Sequence, residues 1–191
     1  MFSLFAMLSL LIVTALSYLL SLAGIDTYSD LRLLGMIGLV LEFFLIFLFT
    51  KGWRTFWQYI PVLNQWIFPD LNGEWDAKIA WNWKNGDITK TGQKNGRVVI
   101  KQSLLKFSVD LITDESESTT LVVKPFKDVE SDQPAFYYMY KSESIEPGSG
   151  GVIEHKGAAV LKAPHGTLNT LSGNYFTNRS TYGRFTFERK I

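Results

Sequence analysis

The segment 173–183, GNYFTNRSTYG, contains three side chains whose types and spacing suit anion binding. Successive side chains of a β-strand point to opposite faces, so Tyr175, Thr177 and Arg179 share one face. Neighbouring segments indicate that this face is the interior, where a charge needs a partner. A guanidinium offers a fork of donors that fits phosphate, and the two hydroxyls can add hydrogen bonds. The spacing therefore predicts an anion-binding site at the end of this strand.

Two structural roles compete with this prediction for Arg179. One is an internal salt bridge to Glu74 or Asp76, although both lie on the outward face in the predicted register. The other is extension of the charged group to solvent along its aliphatic stem. Lys106 and Thr120 lie near other predicted strand ends, which makes them further candidates for ligand binding.

Aromatic side chains form the second group with a candidate binding role. Most of them are expected to fill the interior of the β-domain. Those nearer the strand ends present ring faces on which nucleobases stack, with about 1–3 kcal/mol for each base. The aromatic candidates are Trp81, Trp83, Tyr138 and Tyr140.

The sequence predicts no catalytic residues, no metal ligands and no cofactor. His155 and His165 are the only histidines and have no paired-ligand spacing, so His155 is interpreted as a surface strand residue and His165 as a turn residue. There is no cysteine, which excludes disulfides and thiol chemistry. The formal net charge of +1 argues against DNA or RNA polymers as partners.

The elements that must position these side chains are strands with alternating apolar residues. Between them stand turn sequences such as KNGD, QKNGR, TDESES, EPGSGG, APHG and RSTYG. The predicted strands are 71–83, 97–102, 104–112, 119–125, 135–143, 152–162, 170–179 and 182–190. Eight short sequential strands predict a small antiparallel up-and-down β-barrel, lipocalin-like in form, with a two-sheet sandwich as the alternative.

The first fifty residues predict two membrane-spanning helices, at about 2–24 and 33–50. Residues 2–24 carry no charge and are long enough to cross a bilayer, and the start lacks the basic residues of a signal peptide. Lys51 and Arg54 follow the second helix, whereas Asp26 and Asp30 lie between the helices. The positive-inside rule then predicts that both termini are cytosolic.

Small and polar residues within the predicted helices suggest that they assemble. A carboxylate in a bilayer is costly unless it is paired, protonated or in contact with water, and small residues let helices approach closely. The simple interpretation is a hairpin in which Glu42 bonds to a hydroxyl across the gap. The alternative is a seam between copies of the chain. The candidate assembly residues are Gly35, Gly38 and Glu42 in the second helix, and Thr14, Ser17 and Ser21 in the first.

Two N-terminal membrane helices, the aromatic collar WRTFW, the sequence LNGEW and the ending LSGNYFTNRSTYG occur together. The combination resembles the two-transmembrane, β-strand-rich effectors of bacterial CBASS antiphage systems, known as the SMODS-associating 2TM β-strand-rich family. The resemblance covers the whole chain and is strongest at 71–75 and 171–183.

The residue patterns predict domains at 1–50 for the helices, 51–70 for a juxtamembrane aromatic linker and 71–191 for a cytosolic barrel. The resemblance implies that the barrel binds a cyclic oligonucleotide, such as a cyclic dinucleotide, made by a partner nucleotidyltransferase. Binding is expected to make homo-oligomers of the membrane helices, disrupt the lipid of the inner membrane and kill the infected cell, without an enzymatic step. The alternatives are a membrane-anchored carrier of a lipid or small hydrophobic ligand, and a purely structural envelope protein.

Overall fold

The protein is described by a computed structural model that covers residues 2–22, 24, 31–144, 154–164 and 167–190. The predicted interhelical loop with Asp26 and Asp30, the EPGSGG loop and His165 lie outside the described residues. The chain forms two compact units. One contains residues 1–58 and 103–105, and the other contains residues 59–102 and 106–191.

The second unit contains eight antiparallel strands that form a closed barrel. Each strand pairs with the next along the chain, and the first pairs with the last. The prediction of an up-and-down barrel is confirmed, and the two-sheet sandwich is wrong. The strands are β1 (Gly73–Asn85), β2 (Ile88–Gln102), β3 (Phe107–Ile112), β4 (Ser116–Lys127), β5 (Pro134–Ser144), β6 (Glu154–Lys162), β7 (Thr170–Thr177) and β8 (Thr181–Arg189).

Strand β2 is much longer than the predicted strand 97–102, because the sequence QKNGR does not form a turn. Its Gly96 pairs with Ala77 of β1 within a continuous ladder. A Cβ at Gly96 would lie 2.7 Å from the carbonyl oxygen of Ile112, so the glycine permits a close approach of two strands. The true turn between β1 and β2 contains Gly86, whose φ of +58° is in the left-handed region.

Strand β7 ends at Thr177, two residues before the predicted end. The next residues form the β7–β8 turn, in which Ser180 has a φ of +59°. In an up-and-down barrel this turn lies at the same end as the β1–β2 and β3–β4 turns. We call this end of the barrel the mouth.

The other end of the barrel is filled by a hydrophobic core. Trp75, Phe136 and Phe187 are fully buried there, and the indole N–H of Trp75 donates to the carbonyl oxygen of Leu71, 3.2 Å away. Arg189 covers the Trp75 ring at 5.0 Å from its centroid. The core therefore closes the end opposite the mouth.

The seam between β3 and β4 depends on side-chain hydroxyls. Backbone pairing is limited to two residue pairs, of which Leu111 with Ser118 is the inner one. Farther from the mouth, the Thr120 hydroxyl accepts from the N–H of Val109 at 2.8 Å and donates to the carbonyl oxygen of Val109 at 2.7 Å. Ser118 bonds in the same way to Leu111 at 3.2 Å. These two hydroxyls satisfy backbone groups that an ordinary ladder would pair.

The first unit is helical. Its elements are α1 (Phe2–Leu22), α2 (Leu31–Phe47), a π-helical turn (Leu48–Gly52) and α3 (Trp53–Tyr59), and a short helix α4 (Val62–Trp66) follows in the chain. Among the described residues, one helix, Gly35–Tyr59, is long and apolar enough to cross a membrane, and Ala6–Leu22 is a shorter apolar helix. The candidate span thus extends well beyond the predicted end at residue 50, through the aromatic collar.

Helices α1 and α2 pack along a seam that contains both small and larger apolar residues. Val13 and Ser17 of α1 are buried, and a Cβ on Gly38 of α2 would lie 3.9 Å from Val13 Cγ2. Of the three assembly candidates on α1, Ser17 is buried in this seam, whereas Thr14 and Ser21 are exposed. Thr14 is rotated by about 100° from Val13, away from the seam.

The assembly candidates of α2 occupy different environments. Gly38 is half-buried in the seam, and Glu42 is also half-buried. Gly35 is exposed, and a Cβ there would meet nothing within 4 Å. The exposed side of α2 is therefore available to other molecules at Gly35, whereas Gly38 contributes to packing within the chain.

Candidate ligand-binding site

A cavity of about 450 Å³ opens at the mouth of the barrel. This volume is in the range of sites that hold one small ligand. The cavity takes side chains from all eight strands and from the β3–β4 and β7–β8 turns. Its lining residues divide into an aromatic wall, a polar wall and a charged rim, which are described in turn.

The aromatic wall comes from β1, β5, β7 and β8. Trp81 and Trp83 alternate along β1, and Tyr140, Tyr175 and Phe185 line the cavity beside them. Tyr175 and Phe185 stack with ring centroids 4.1 Å apart and an interplanar angle of 9°. Four of the predicted aromatic and hydroxyl candidates, Trp81, Trp83, Tyr140 and Tyr175, therefore lie together.

Glycines make room for the large rings of this wall. A Cβ on Gly92 of β2 would lie 2.6 Å from the indole carbon Cζ2 of Trp81. A Cβ on Gly157 of β6 would overlap the ring of Tyr140 in the same way. The two glycines allow both rings to lie flat on the neighbouring strand.

The polar wall follows from the register of β4, β5 and β6. Ser118 pairs with Ser142, and Ser142 pairs with His155, so one row crosses three strands. All three side chains line the cavity. His155 is half-buried rather than a surface residue as predicted. Along β6, His155, Gly157 and Ala159 stand two positions apart, so they face the same, inward side. This alternation in the sequence could have identified His155 as an inward residue.

Arg179 lies in the β7–β8 turn and lines the cavity, with its side chain exposed. The N–H of Asn178 donates to the carbonyl oxygen of Lys156 at 3.0 Å, and the Lys156 N–H donates to Asn178 Oδ1 at 3.0 Å. These bonds continue the β6–β7 register past Thr177, so Arg179 comes opposite His155. Arg179 thus ends the polar row at the rim.

Thr177 positions this turn. Its hydroxyl accepts from the N–H of Arg179 at 3.2 Å and donates to the carbonyl oxygen of Thr181 at 3.2 Å. Thr177 lines the cavity as predicted, but its hydroxyl is already engaged within the turn. It fixes the backbone that carries Arg179.

The rim carries two lysines in addition to the predicted Arg179. Lys90 and Lys94 line the cavity because β2 continues to the mouth, and the predicted QKNGR turn concealed them. Lys90 Nζ lies 5.9 Å from the centroid of Trp83, and Lys94 forms an ion pair with Glu115 of the β3–β4 turn. Among the described lining residues, Lys90, Lys94 and Arg179 outnumber the single carboxylate of Glu115. The rim therefore attracts anions.

Burial changes the protonation behaviour of the cavity side chains. It raises the pKa of Tyr175 to about 12 and raises the pKa of Tyr140 further. Burial, followed by the charge of Arg179, holds the pKa of His155 below its ordinary value of 6.5. At neutral pH the tyrosines are therefore protonated donors, and the imidazole is uncharged.

Three predicted ligand residues lie outside the cavity lining. Tyr138 is buried in the core, where its ring centroid is 5.4 Å from that of Tyr140. Thr120 is committed to the β3–β4 seam. Lys106 precedes β3 and lies at the end of the barrel opposite the mouth. A position near a strand end in the sequence does not show at which end of the barrel the residue lies, and for this reason the sequence pattern predicts Lys106 as a ligand residue.

No cluster of histidine, aspartate or glutamate side chains suited to a metal ion occurs within the part of the chain that the structure describes. The cavity instead combines ring faces, hydroxyls, an imidazole and cations. Such a set can stack on aromatic ligands and bind anionic groups.

Comparison with known families agrees with this chemistry. A family model described as Cap15, cyclic dinucleotide receptor domain, matches residues 66–189. The match includes every strand of the barrel and the whole cavity. No curated protein matches the chain. The match over residues 66–189, about two thirds of the chain, shows that the chain belongs to the Cap15 cyclic dinucleotide receptor family of CBASS effectors.

Proposed function

We propose that the barrel senses a cyclic dinucleotide made by a partner nucleotidyltransferase and transmits this signal to the membrane helices. The ligand enters at the mouth, where its phosphates meet the cationic rim and its bases meet the aromatic wall. The chain acts as a receptor and effector, without an enzymatic step. The family match supports the class of ligand, and the cavity supports the place where it binds.

The excess of positive charge at the rim is the observation that carries this proposal. A cyclic dinucleotide has two phosphodiesters and hence two negative charges. Lys90, Lys94 and Arg179 against Glu115 leave an excess of two positive charges among the described lining residues. Charge and aromatic area therefore both complement the ligand.

The output that we propose is oligomerisation of the helices and disruption of the bacterial inner membrane, which kills the infected cell. In this arrangement α1 and α2 both cross the membrane and both termini are cytosolic. The ligand must bind the assembled state more tightly than the resting state, because equal affinity for both shifts nothing. The half-buried Glu42 and the exposed Gly35 are candidates for contacts between copies.

The lining also bears on the two alternatives from the sequence. A cavity of about 450 Å³ is unlike the packed interior expected of a purely structural barrel. A carrier of small hydrophobic molecules would place apolar groups against the serines, His155 and cations of the polar wall and rim. That burial would leave polar groups without partners, which is costly.

Replacement of Arg179 by alanine tests the binding site. Loss of its charge-assisted hydrogen bonds, worth about 1.5–3 kcal/mol, is expected to weaken cyclic dinucleotide binding about 10- to 100-fold. Isothermal titration calorimetry on the full chain in detergent measures this change. Arg184→Ala is the matched control, since Arg184 is exposed on β8 and bonds to Ser172 Oγ at 3.1 Å. Equal affinity of the R179A and wild-type chains would remove Arg179 from the site.

A further inference from the structure

Ser142 and His155 are paired across β5 and β6, and both line the polar wall. Directly paired residues on one face of an antiparallel sheet have Cβ atoms about 4.5–5.5 Å apart. A hydroxyl and an imidazole nitrogen at this spacing can contact neighbouring atoms on the edge of one planar ligand.

Both side chains have unused hydrogen-bonding capacity. The residue Ser142 is 4% exposed, and no hydrogen bond joins its hydroxyl to a described residue. Nδ1 of His155 is buried and has no partner among the described residues. Buried polar atoms without partners are costly, and ligand atoms that supply the missing bonds recover this free energy.

The wall opposite these atoms also contains an unused donor. Nε1 of Trp81 is buried without a hydrogen-bond partner among the described residues, and the Trp81 ring lines the same cavity. Ser118 differs from these groups, because its hydroxyl is bonded to the backbone of Leu111. Within the described part of the chain, free hydrogen-bonding groups are therefore present at Ser142, His155 and Trp81 but not at Ser118.

The position of Arg179 separates this polar pair from the rim. Arg179 comes opposite His155, one strand away, and Ser142 is two strands away. Adjacent strands are about 4.8 Å apart, so Ser142 lies about 10 Å from the Arg179 backbone along the row. A nucleotide spans a comparable distance from its phosphate to the far edge of its base.

We propose that Ser142 and His155 read the edge of a nucleobase and thereby set which cyclic dinucleotide the barrel accepts, while Arg179 binds a phosphate. The inference rests on the proposed function of the cavity as a cyclic dinucleotide site. Discrimination arises because a base with the wrong edge leaves the Ser142 hydroxyl and the buried Nδ1 of His155 unpaired. The phosphate contact is the same for every base and adds affinity without preference.

The test uses cyclic dinucleotides that share one sugar–phosphate ring and carry guanine, hypoxanthine, adenine or uracil. Calorimetry gives the affinity of each for the full chain in detergent and for the variants Ser142→Ala, His155→Phe and Arg179→Ala. The wild type is expected to prefer one base over the others by about 5- to 100-fold. S142A and H155F are expected to reduce that ratio severalfold, whereas R179A weakens all four ligands by a similar factor and keeps the ratio.

Two outcomes overturn the inference while leaving the proposed function intact. One is binding of all four ligands with equal affinity by the wild type. The other is a uniform loss of affinity in folded S142A and H155F, which would assign both residues to the phosphate. Thermal melting shows whether each variant is folded, and either variant alone suffices for the comparison. Failure of the wild type to bind any of the four ligands would instead overturn the proposed function itself.

Discussion

At the scale of single residues, Glu115 opposes the ligand that we propose. Its carboxylate lies on the cationic rim and pairs with Lys94, so an entering phosphate must compete for that lysine. Glu115→Gln removes the repulsion and frees Lys94, and we expect ligand affinity to rise about two- to five-fold at low salt. Titration calorimetry at two ionic strengths measures the gain, which salt should diminish.

Glu188→Gln is the control for this change, because Glu188 pairs with Lys78 on exposed side chains of β8 and β1. It removes the same charge without touching the cavity lining. If E188Q raised the affinity as much as E115Q, the effect would come from net charge and not from the rim.

His155 also gives the free energy of unfolding a pH dependence. Burial and Arg179 lower its folded pKa below 6.5, its ordinary value, so the unfolded state takes up a proton first as the pH falls. The stabilisation that His155 contributes to the folded state is fully present above pH 6.5. It is lost as the pH falls from 6.5 through the folded pKa of His155. Thermal melting of the ligand-free chain between pH 7.5 and 5 should show this loss.

His155→Gln should flatten that dependence in the same pH window. The pKa of Asp128 is lowered by its hydrogen bonds to Lys162 and Ser131, so the stabilisation from Asp128 is lost around and below pH 3.8, which is more acidic than the range in which His155 is expected to act. A wild-type slope that persists in H155Q would show that other groups cause it.

At the scale of elements, the β3–β4 seam is the part of the barrel that relies on side chains. Thr120→Val keeps the shape of the side chain but leaves the N–H and C=O of Val109 without the hydroxyl. The loss should lower the free energy of unfolding by about 1–3 kcal/mol, as measured by chemical denaturation. Hydrogen exchange at the Val109 amide should accelerate.

Thr119→Val is the neighbouring control, because Thr119 is exposed on the outward side of β4. The same experiment examines the predicted ligand role of Thr120. If T120V has a lower free energy of unfolding but an unchanged affinity for the cyclic dinucleotide, the Thr120 hydroxyl serves the β3–β4 seam. If the affinity falls and the free energy of unfolding does not, the hydroxyl belongs to the ligand site.

At the scale of the whole molecule, the proposed function separates ligand binding from membrane disruption. Glu42 lies in the candidate membrane span, far along the sequence from every cavity residue. Glu42→Gln is expected to reduce ligand-induced dye release from liposomes that contain the full chain, because an ionisable group in a membrane helix is costly unless it serves assembly. Cyclic dinucleotide affinity should stay unchanged.

Glu42→Asp retains the carboxylate and should retain more dye release than E42Q. If E42Q bound the cyclic dinucleotide more weakly but still released dye normally, the proposal that the barrel binds the ligand and the helices disrupt the membrane would be contradicted.

The sequence by itself determined the number of strands and the two apolar N-terminal segments, whereas closure into a barrel rather than a two-sheet sandwich was decided by the pairing of β1 with β8. The strands and the two segments follow from local periodicity, since alternation of apolar residues over 73–83 or 135–143 depends only on which face is buried. Parity and strand-end position also selected six residues that line the cavity, Arg179, Thr177, Tyr175, Trp81, Trp83 and Tyr140, together with three that do not, Tyr138, Thr120 and Lys106.

Only the tertiary structure decided which end of the barrel contains the cavity and which neighbours complete it. Lys106 lies just before β3 and Arg179 lies just after β7, yet the two residues lie at opposite ends of the barrel. The sequence QKNGR predicts a turn at Gly96, whereas in the structure the carbonyl of Ile112 lies beside this glycine within the ladder. Lys90 and Lys94 lie at the rim because β2 continues to the mouth. Such placements depend on pairing between distant segments, and local pattern does not contain that information.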